Sequence, residues 1–159
     1  MRRKDREVPE PAQLLKIIQQ CRVCRVAMQD AQGLYIVPLN FGYEFDNGGL
    51  TLYFHSAKEG RKIDILAQSP TVAFEMDCGH QLIASEVACR NGYAFQSIIG
   101  TGHAGLVTDV DEKVKGLACI MLHQTGREWK MTAQEADTVA VFKIEAAEFT
   151  GKIRPMPYA

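Results

Sequence analysis

The chain lacks an excess of charge of either sign. Its 159 residues include 18 Lys and Arg against 19 Asp and Glu, with a net charge of −1 and a pI of about 6.4. Nucleic-acid binders usually carry a strong basic excess, so this balance argues against that class. No apolar run follows in the first twelve residues, which argues against a secretory signal or a membrane anchor. We therefore expect a cytoplasmic protein that contacts neither nucleic acid nor a membrane.

The chain also lacks the cysteine pattern of a disulfide scaffold or a zinc site. It has five cysteines, an odd number. Cys21-Arg22-Val23-Cys24 has the C-x-x-C spacing, but no second such pair and no paired histidines accompany it. The pattern predicts reduced thiols, buried at the boundary between a helix and a strand. A zinc or redox role is the alternative interpretation, and no metal site is predicted.

The length and composition are those of one ordinary globular domain. About 150 residues is a usual domain size, and 47% of the residues are apolar. No internal repeat or linker divides the chain, so residues 1–159 are expected to form a single domain. The periodicity predicts helices at 14–18, 62–67, 111–124 and 132–137, and Asp109 and Gly126 are expected to cap and to stop the third of them. It predicts strands at 23–29, 35–45, 50–55, 71–76, 93–110 and 138–149, and a loop or ragged edge at 77–90.

The most informative stretch runs from Tyr35 to Leu66. Apolar and polar residues alternate on both sides of Asp46-Asn47-Gly48-Gly49, as in two half-buried strands joined by a tight turn. The second strand delivers His55 to a loop in which Arg61 and Lys62 begin a helix. Two cations beside the free N–H groups of a helix N-terminus form an anion site, for which phosphate is the usual ligand. A solvated helix start is the alternative.

A second long β segment carries three glycines. Gly100, Gly102 and Gly105 lie within six residues, and glycine weakens a strand unless a bulge, a bend or a close contact requires it. This spacing predicts a strand that curls around the corner of a barrel. The fold class is therefore mainly β with short helices, arranged as a closed or split barrel.

Several segments together resemble a known family. In chain order they are MRRKDRE, VPLNFGYE, LYFHSAKEGRKID and YAFQSIIGTGHAGLVTD. The chain is similar to the FMN-binding split β-barrels related to pyridoxamine 5′-phosphate oxidase, and in particular to the 5-nitroimidazole resistance (Nim-type) branch. The resemblance implies a homodimer with FMN at the subunit interface, FAD being the alternative. It also implies reduction of a small, planar, electron-poor substrate such as a nitroimidazole.

The resemblance assigns roles to individual positions. The flavin ring would run along Val37, Pro38, Leu39 and Asn40, with Phe54, His55 and Ser56 beside the ring and the ribityl chain. Arg61 and Lys62 match the phosphate-binding element of the oxidases, where Gly60 stands in place of a serine. Ser97 lies where the oxidases place a glutamine that reaches the flavin from the partner subunit, and because serine is shorter, Gln96 or a water is the alternative contact.

Other residues keep two interpretations. His55 is either a structural histidine or the catalytic group that bonds the flavin or gives a proton to a reduced nitro oxygen. His80, His103 and His123 are candidate ligands for haem, which some relatives bind, or are structural. Trp129, the single tryptophan, does not match the C-terminal Trp of the oxidases, so pyridoxamine phosphate oxidation is not expected. The alternatives to a reductase are a non-catalytic flavin- or haem-binding protein and a structural dimer with a decayed site.

Overall fold

A computed structural model describes residues 3–68 and 71–157. Met1 and Arg2, at the start of the MRRKDRE segment, lie outside the described residues. The described residues form eight strands and four helices, with short 3-10 turns at Lys4–Arg6 and Ala88–Arg90. In order they are β1 (Glu7–Val8), α1 (Pro11–Gln20), β2 (Val23–Asp30), β3 (Gly33–Asn40), β4 (Gly42–Asp46), β5 (Gly49–Ser56), α2 (Arg61–Gln68), β6 (Thr71–Ile83), β7 (Gly92–Leu106), α3 (Val110–Thr125), α4 (Ala133–Ala136) and β8 (Ala140–Arg154).

The strands form one antiparallel sheet whose order explains its curvature. The order is β3-β2-β6-β7-β8-β5-β4, and β1 pairs with β8. Strands β3 and β4 stand at opposite ends of this order, yet only Phe41 separates them in the sequence. The sheet must therefore curl until its two ends meet, which confirms the expected barrel. Its interior is filled by a cluster that includes Phe41, Phe54, Phe74 and Phe142.

The strand predicted at 35–45 is interrupted, so that prediction was wrong in detail. Phe41 is fully buried between β3, which pairs with β2, and β4, which pairs with β5. Next to it, Gly42 lies so close to α3 that an added Cβ would collide with the backbone of Cys119 and Ile120. The alternating pattern continues through the break, so it does not reveal that the chain changes partners there. The tight turn that follows β4 is confirmed, with Asn47 at φ 49° and Gly48 at φ 82°.

The long strands differ from the expectations mainly in their bounds. The segment 77–90 is not a loop throughout, because β6 continues to Ile83 past an irregularity between Cys78 and Gln81. β7 ends at Leu106, whereas the prediction extended it to Val110. β8 runs on to Arg154 and also pairs with β1, which the sequence did not predict.

Gly100 and Gly102, two of the three glycines considered in β7, have the role that their spacing suggested. The β7–β8 register shifts between Thr101 and Gly102. An added Cβ at Gly100 would collide with the Phe74 ring and with the Glu148 carbonyl oxygen. The bulge and the close packing together bend the strand. Gly105 has open space around its Cα and does not share this role.

Helix α1 is longer than the predicted 14–18, whereas α3 and α4 are bounded by capping residues. The Asp109 carboxylate accepts a 2.8 Å hydrogen bond from the Glu112 N–H, and α3 ends at Gly126, which has φ 71°. Thr132 and Glu135 form a reciprocal capping box around α4. Along the described ranges, none of the helices combines the length and the apolar character that crossing a membrane requires.

Candidate functional site

Strand β3 carries the residues expected beside a flavin ring. Val37 and Leu39 pack against the core, and Pro38 and Asn40 are exposed on the other face. Within the described residues β3 pairs only with β2, so the backbone groups along its other edge have no strand partner. Pro38 suits such an edge strand because it has no N–H to donate. The Asn40 amide donates to the Arg22 carbonyl and the Gln124 side chain, at 3.1 and 3.2 Å.

Of the three predicted site residues at the end of β5, only His55 is exposed. His55 is exposed, and its backbone is in register with Val141 of β8. The Ser56 hydroxyl donates to the Ala57 carbonyl oxygen at 2.8 Å. The Phe54 ring, by contrast, is fully buried and stacks on Phe142 at a centroid distance of 4.9 Å. Phe54 therefore offers only its backbone to a ligand.

Helix α2 begins at the two predicted cations, which have different surroundings. Arg61 forms a bidentate ion pair with Asp30, with Nε–Oδ2 and Nη2–Oδ1 both at 2.9 Å. This hydrogen bonding raises the pKa of Arg61 and lowers that of Asp30. Lys62 is half-buried, and among the described residues no carboxylate lies within ion-pair distance of its ammonium. Burial lowers the pKa of Lys62. A partly desolvated cation without a counter-ion is typical of an anion-binding position.

Gly60, which replaces the serine of the oxidases, has a structural reason of its own. Its φ is 119°, a conformation that residues with a side chain rarely adopt. Its carbonyl oxygen accepts from the N–H groups of Ile63 and Asp64, at 2.8 and 3.2 Å, and so starts the helix. The glycine therefore shapes the turn that places the two cations at the helix start.

Gln96 and Ser97 lie at the opposite end of the sheet from Arg61. Ala27 is in register with Ala73, and Ala73 with Thr101. Asp30, the partner of Arg61, lies three residues beyond Ala27, and Ser97 lies four residues to the other side of Thr101. At about 3.3 Å per residue, the two ends are roughly 23 Å apart along the strands.

The two residues at this far end have local partners. The Gln96 amide donates to Gln20 Oε1 at 3.2 Å. Ser97 is 9% exposed and is in register with Asp77 of β6 on one side and Lys152 of β8 on the other. One chain therefore does not bring these two residues to the helix α2 cations.

The remaining histidines are divided between structural and exposed positions. The His123 ring packs against Phe41 and bonds the Cys21 carbonyl oxygen through Nε2 at 2.8 Å. His80 Nε2 lies 2.8 Å from Asp77 Oδ2, and His103 is exposed on the outer face of β7. Among the described residues, no group of three or more His, Cys, Asp or Glu side chains has the arrangement of a metal site.

The C-x-x-C residues are buried thiols at an element boundary, as predicted. Cys21 caps the C-terminus of α1 and Cys24 lies in β2, and both are fully buried and unpaired by disulfides. Burial raises the pKa of Cys24 to about 12, and it raises that of Cys21 as well. Thiols that hold their protons in this way are poor nucleophiles and poor metal ligands.

Two features of the site were missed by the sequence. Asp30 and Tyr35 hold Arg61, but nothing local connects residues that are 31 positions apart in the chain. The second feature is a set of exposed apolar side chains on the outer face of the sheet: Leu34 (81% exposed) and Ile36 (64%) on β3, and Ile99 (57%) on β7, with β2 and β6 between the two strands. Large exposed apolar side chains on one sheet face indicate a contact surface. The continuous apolar run at residues 34–39 was the available signal, because it puts apolar side chains on both faces of β3.

Comparisons with known proteins agree with the fold and with the resemblance. The family described as pyridoxamine 5′-phosphate oxidase matches residues 10–153. Among solved structures, the chain is similar to a candidate 5-nitroimidazole antibiotic resistance protein from Bacteroides thetaiotaomicron. The two are 32% identical with a TM-score of 0.78, and the match covers 92% of this chain and 86% of that one. No curated protein matches the chain significantly.

Two further structures are similar in fold alone. The flavocytochrome Anf3 from Azotobacter vinelandii is 19% identical, with a TM-score of 0.78, and the match covers 99% of this chain and 73% of that one. The FAD and haem binding protein from Mycobacterium smegmatis is 14% identical, with a TM-score of 0.78 and coverage of 97% and 76%. From the family match and the 32% identical structure, the chain belongs to the pyridoxamine 5′-phosphate oxidase-like family.

Proposed function

We propose that this protein is a flavin-dependent reductase of small electron-poor compounds, of the nitroimidazole-reducing type, with FMN as its cofactor. The observation that carries the proposal is the similarity, at 32% identity over 92% of the chain, to the candidate nitroimidazole resistance protein. The coarser part, a family fold with flavin-binding neighbours, rests on more than one relative. The finer part, the substrate and the reaction, is inferred from the site.

The residues at the start of α2 fit the phosphate end of a flavin nucleotide. Lys62 has no carboxylate partner in the described part of the chain. Arg61 bonds Asp30 through Nε and Nη2, so its Nη1 donors remain available to a ligand. A phosphate there would neutralise the half-buried ammonium and accept from the first N–H groups of the helix. The unpartnered edge of β3 offers backbone donors and acceptors for the polar edge of the ring. The residues present therefore fit FMN.

The separation between the two groups of site residues supports a dimer. A single flavin that contacts both Arg61 and Ser97 must receive them from different copies of the chain, because within one chain they lie at opposite ends of the sheet. The outer face of the sheet, where Leu34 and Ile36 of β3 and Ile99 of β7 are exposed, is the surface on which a second copy would pack. Such an arrangement binds the cofactor only when two copies associate.

The chain's own contribution to the reaction is binding, orientation and proton delivery. When bound, the flavin supplies hydride or electron transfer to a planar acceptor. We assign to His55, which is exposed at the end of β5, the delivery of a proton to a substrate oxygen, and Ser56 follows it in the chain before the loop that leads to α2. The small polar substrate is expected to bind where the flavin leaves one ring face open.

The first test is an absorbance spectrum of the purified protein, followed by anaerobic reduction and addition of a nitroimidazole. Flavin bands that are bleached by the reductant and restored by the compound would support the proposal. A Soret band would favour the haem-binding alternative. A colourless protein that does not bind added FMN would overturn it.

The role of His55 is tested separately. His55→Ala should keep the flavin spectrum and slow the reoxidation of the flavin by the nitro compound. The exposed His103→Ala is the matched control and should leave the rate unchanged. Equal rates for wild type and His55→Ala would remove the histidine from the mechanism while leaving flavin binding intact.

A further inference from the structure

The Arg61 guanidinium is held on three sides. Its Nε and Nη2 donate to the two carboxylate oxygens of Asp30, both at 2.9 Å, and Nη2 also donates to the Gly33 carbonyl oxygen at 3.3 Å. Its central carbon lies 4.7 Å from the centre of the Tyr35 ring, in a cation–π contact. A long side chain that is usually mobile is thus fixed in one orientation.

The way in which Arg61 is held leaves a defined part of it available. An arginine has five N–H donors in a planar fork. Asp30 and Gly33 occupy those on Nε and Nη2, whereas the Nη1 donors have no acceptor among the described residues. The free edge of the fork can bind an oxyanion without breaking the ion pair with Asp30. A second anion and Asp30 can therefore share the same guanidinium.

Asp30 is itself fixed by the turn between β2 and β3. Its Oδ1 accepts from the Gln32 N–H at 2.8 Å. Gly33, whose φ is 107°, closes the turn and presents its carbonyl to Arg61. The side chains of Arg61 and Asp30 are 34% and 21% exposed, so the pair is only partly solvated. The turn thus builds a rigid support for a cation that belongs to a different element.

We propose that Asp30 and Tyr35 are positioning residues that orient Arg61, so that its Nη1 edge recognises the phosphate of the bound flavin. This inference rests on the proposed function and deepens it. It assigns the β2–β3 turn to cofactor recognition, although neither residue is expected to touch the cofactor.

The opposite interpretation is that Asp30 weakens the site by neutralising Arg61. The two interpretations predict opposite signs for the same substitution. Removing a partly exposed carboxylate reduces a repulsion that water and salt already screen. Removing it also frees the arginine to adopt many rotamers, which a phosphate must then order again. We expect the loss of orientation to dominate at physiological ionic strength.

The test compares FMN with riboflavin, which lacks the phosphate, by flavin fluorescence titration at 150 mM salt. For Asp30→Asn we expect the dissociation constant for FMN to rise by about tenfold, the loss of roughly one charge-assisted hydrogen bond. The dissociation constant for riboflavin should stay within about twofold, because the ring contacts are unchanged. General damage to the fold would weaken both ligands, whereas a positioning role lowers only the preference for FMN.

Asp64→Asn is the matched control. Asp64 lies in the first turn of α2 and lines the same cavity as Asp30 and Arg61, but it forms neither a hydrogen bond nor an ion pair with Arg61. Asp64→Asn removes one negative charge, as Asp30→Asn does, but it does not free Arg61. The affinity for FMN should therefore be unchanged or stronger. Arg61→Lys should behave like Asp30→Asn, because lysine keeps the charge but cannot make the bidentate pair. Tyr35→Phe should behave like wild type, because it keeps the ring face.

The outcomes separate this inference from the proposed function. An Asp30→Asn variant that prefers FMN as strongly as Asp64→Asn does, or more strongly than wild type, would overturn the positioning role and leave the flavin reductase intact. A wild-type protein that binds neither FMN nor riboflavin would overturn both. A preference for FMN that is lost in Asp30→Asn and in Arg61→Lys, but kept in Asp64→Asn, is the expected result.

Discussion

Ile36→Lys tests whether the outer face of the sheet joins two copies of the chain. Ile36 is 64% exposed on β3, between Leu34 and Pro38 on the same face. In a monomer, lysine at this exposed position should change the free energy of unfolding by no more than about 0.5 kcal/mol. In a dimer that buries this face, the same change places two ammonium groups in an apolar contact.

The expected effect on the dimer follows from the exposed area. Burying a whole isoleucine side chain contributes about 1.5–3 kcal/mol, so the 64% that remains exposed is worth about 1–2 kcal/mol in each copy. Two copies in a symmetric interface lose about 2–4 kcal/mol, which raises the dimer dissociation constant by about 30- to 700-fold. Desolvation of the ammonium groups adds to this loss.

The assay is sedimentation velocity over a range of protein concentrations, with absorbance recorded at a flavin wavelength. Ile36→Lys should shift the protein towards monomer and release the flavin in parallel, while the thermal unfolding midpoint of the apo monomer stays close to wild type. Leu122→Lys is the matched control, because Leu122 is 47% exposed on α3 and not on β3, the strand that carries Ile36. It should keep both the dimer and the flavin.

One result would refute the reasoning directly. If Ile36→Lys remains dimeric and keeps its flavin at the same concentrations as wild type, the outer face of β3 is not the interface. A flavin-bound monomer of either variant would further show that the site does not need two copies.

Three other predictions follow from the structure. Replacing Arg61 and Lys62 together by alanine should weaken FMN binding by about a hundredfold or more, through lost charge-assisted hydrogen bonds, while riboflavin titrations change little. Burial lowers the pKa of His123 below its ordinary value of 6.5, so the unfolded chain takes up the proton first as the pH falls. The free energy of unfolding in urea should therefore fall below about pH 6.5 and then level off, and His123→Gln should remove that dependence. Gly100→Ala should lower the free energy of unfolding in urea by about 1–3 kcal/mol, because the added Cβ meets Phe74. Gly105→Ala, where an added Cβ meets no atom, should be nearly neutral. Equal losses for the two variants would contradict the bend in β7.

Local signals in the sequence predicted local structure well. The Asp109 cap, the Gly126 stop and the turn at residues 46–49 depend on a few neighbouring residues, and all three are confirmed. The interruption at Phe41 was not predictable in the same way, since it arises because the two ends of the sheet meet. The same holds for the extension of β6 to Ile83, which is stabilised by pairing with β7.

The candidate site likewise has features that the sequence predicted and features that it did not. The residue types around the start of α2 already indicated an anion site, and Gly60 was visible as a departure from the oxidases. Three other features depended on the folded arrangement. Asp30 bonds part of the Arg61 guanidinium, Phe54 is buried in the core, and Ser97 lies at the far end of the sheet.

The sequence by itself determined the fold class, the order of most elements, the capped helices and the family resemblance, because each rests on periodicity, turn chemistry or ordered motifs along the chain. Only the tertiary structure decided that Arg61 pairs with Asp30 while Lys62 has no carboxylate partner in the described ranges, and which apolar face stays exposed. Those properties depend on residues far apart in the sequence: Asp30 and Arg61 meet because β2 and α2 pack together, and Ile36 and Ile99 share a face because β3 and β7 belong to one curled sheet.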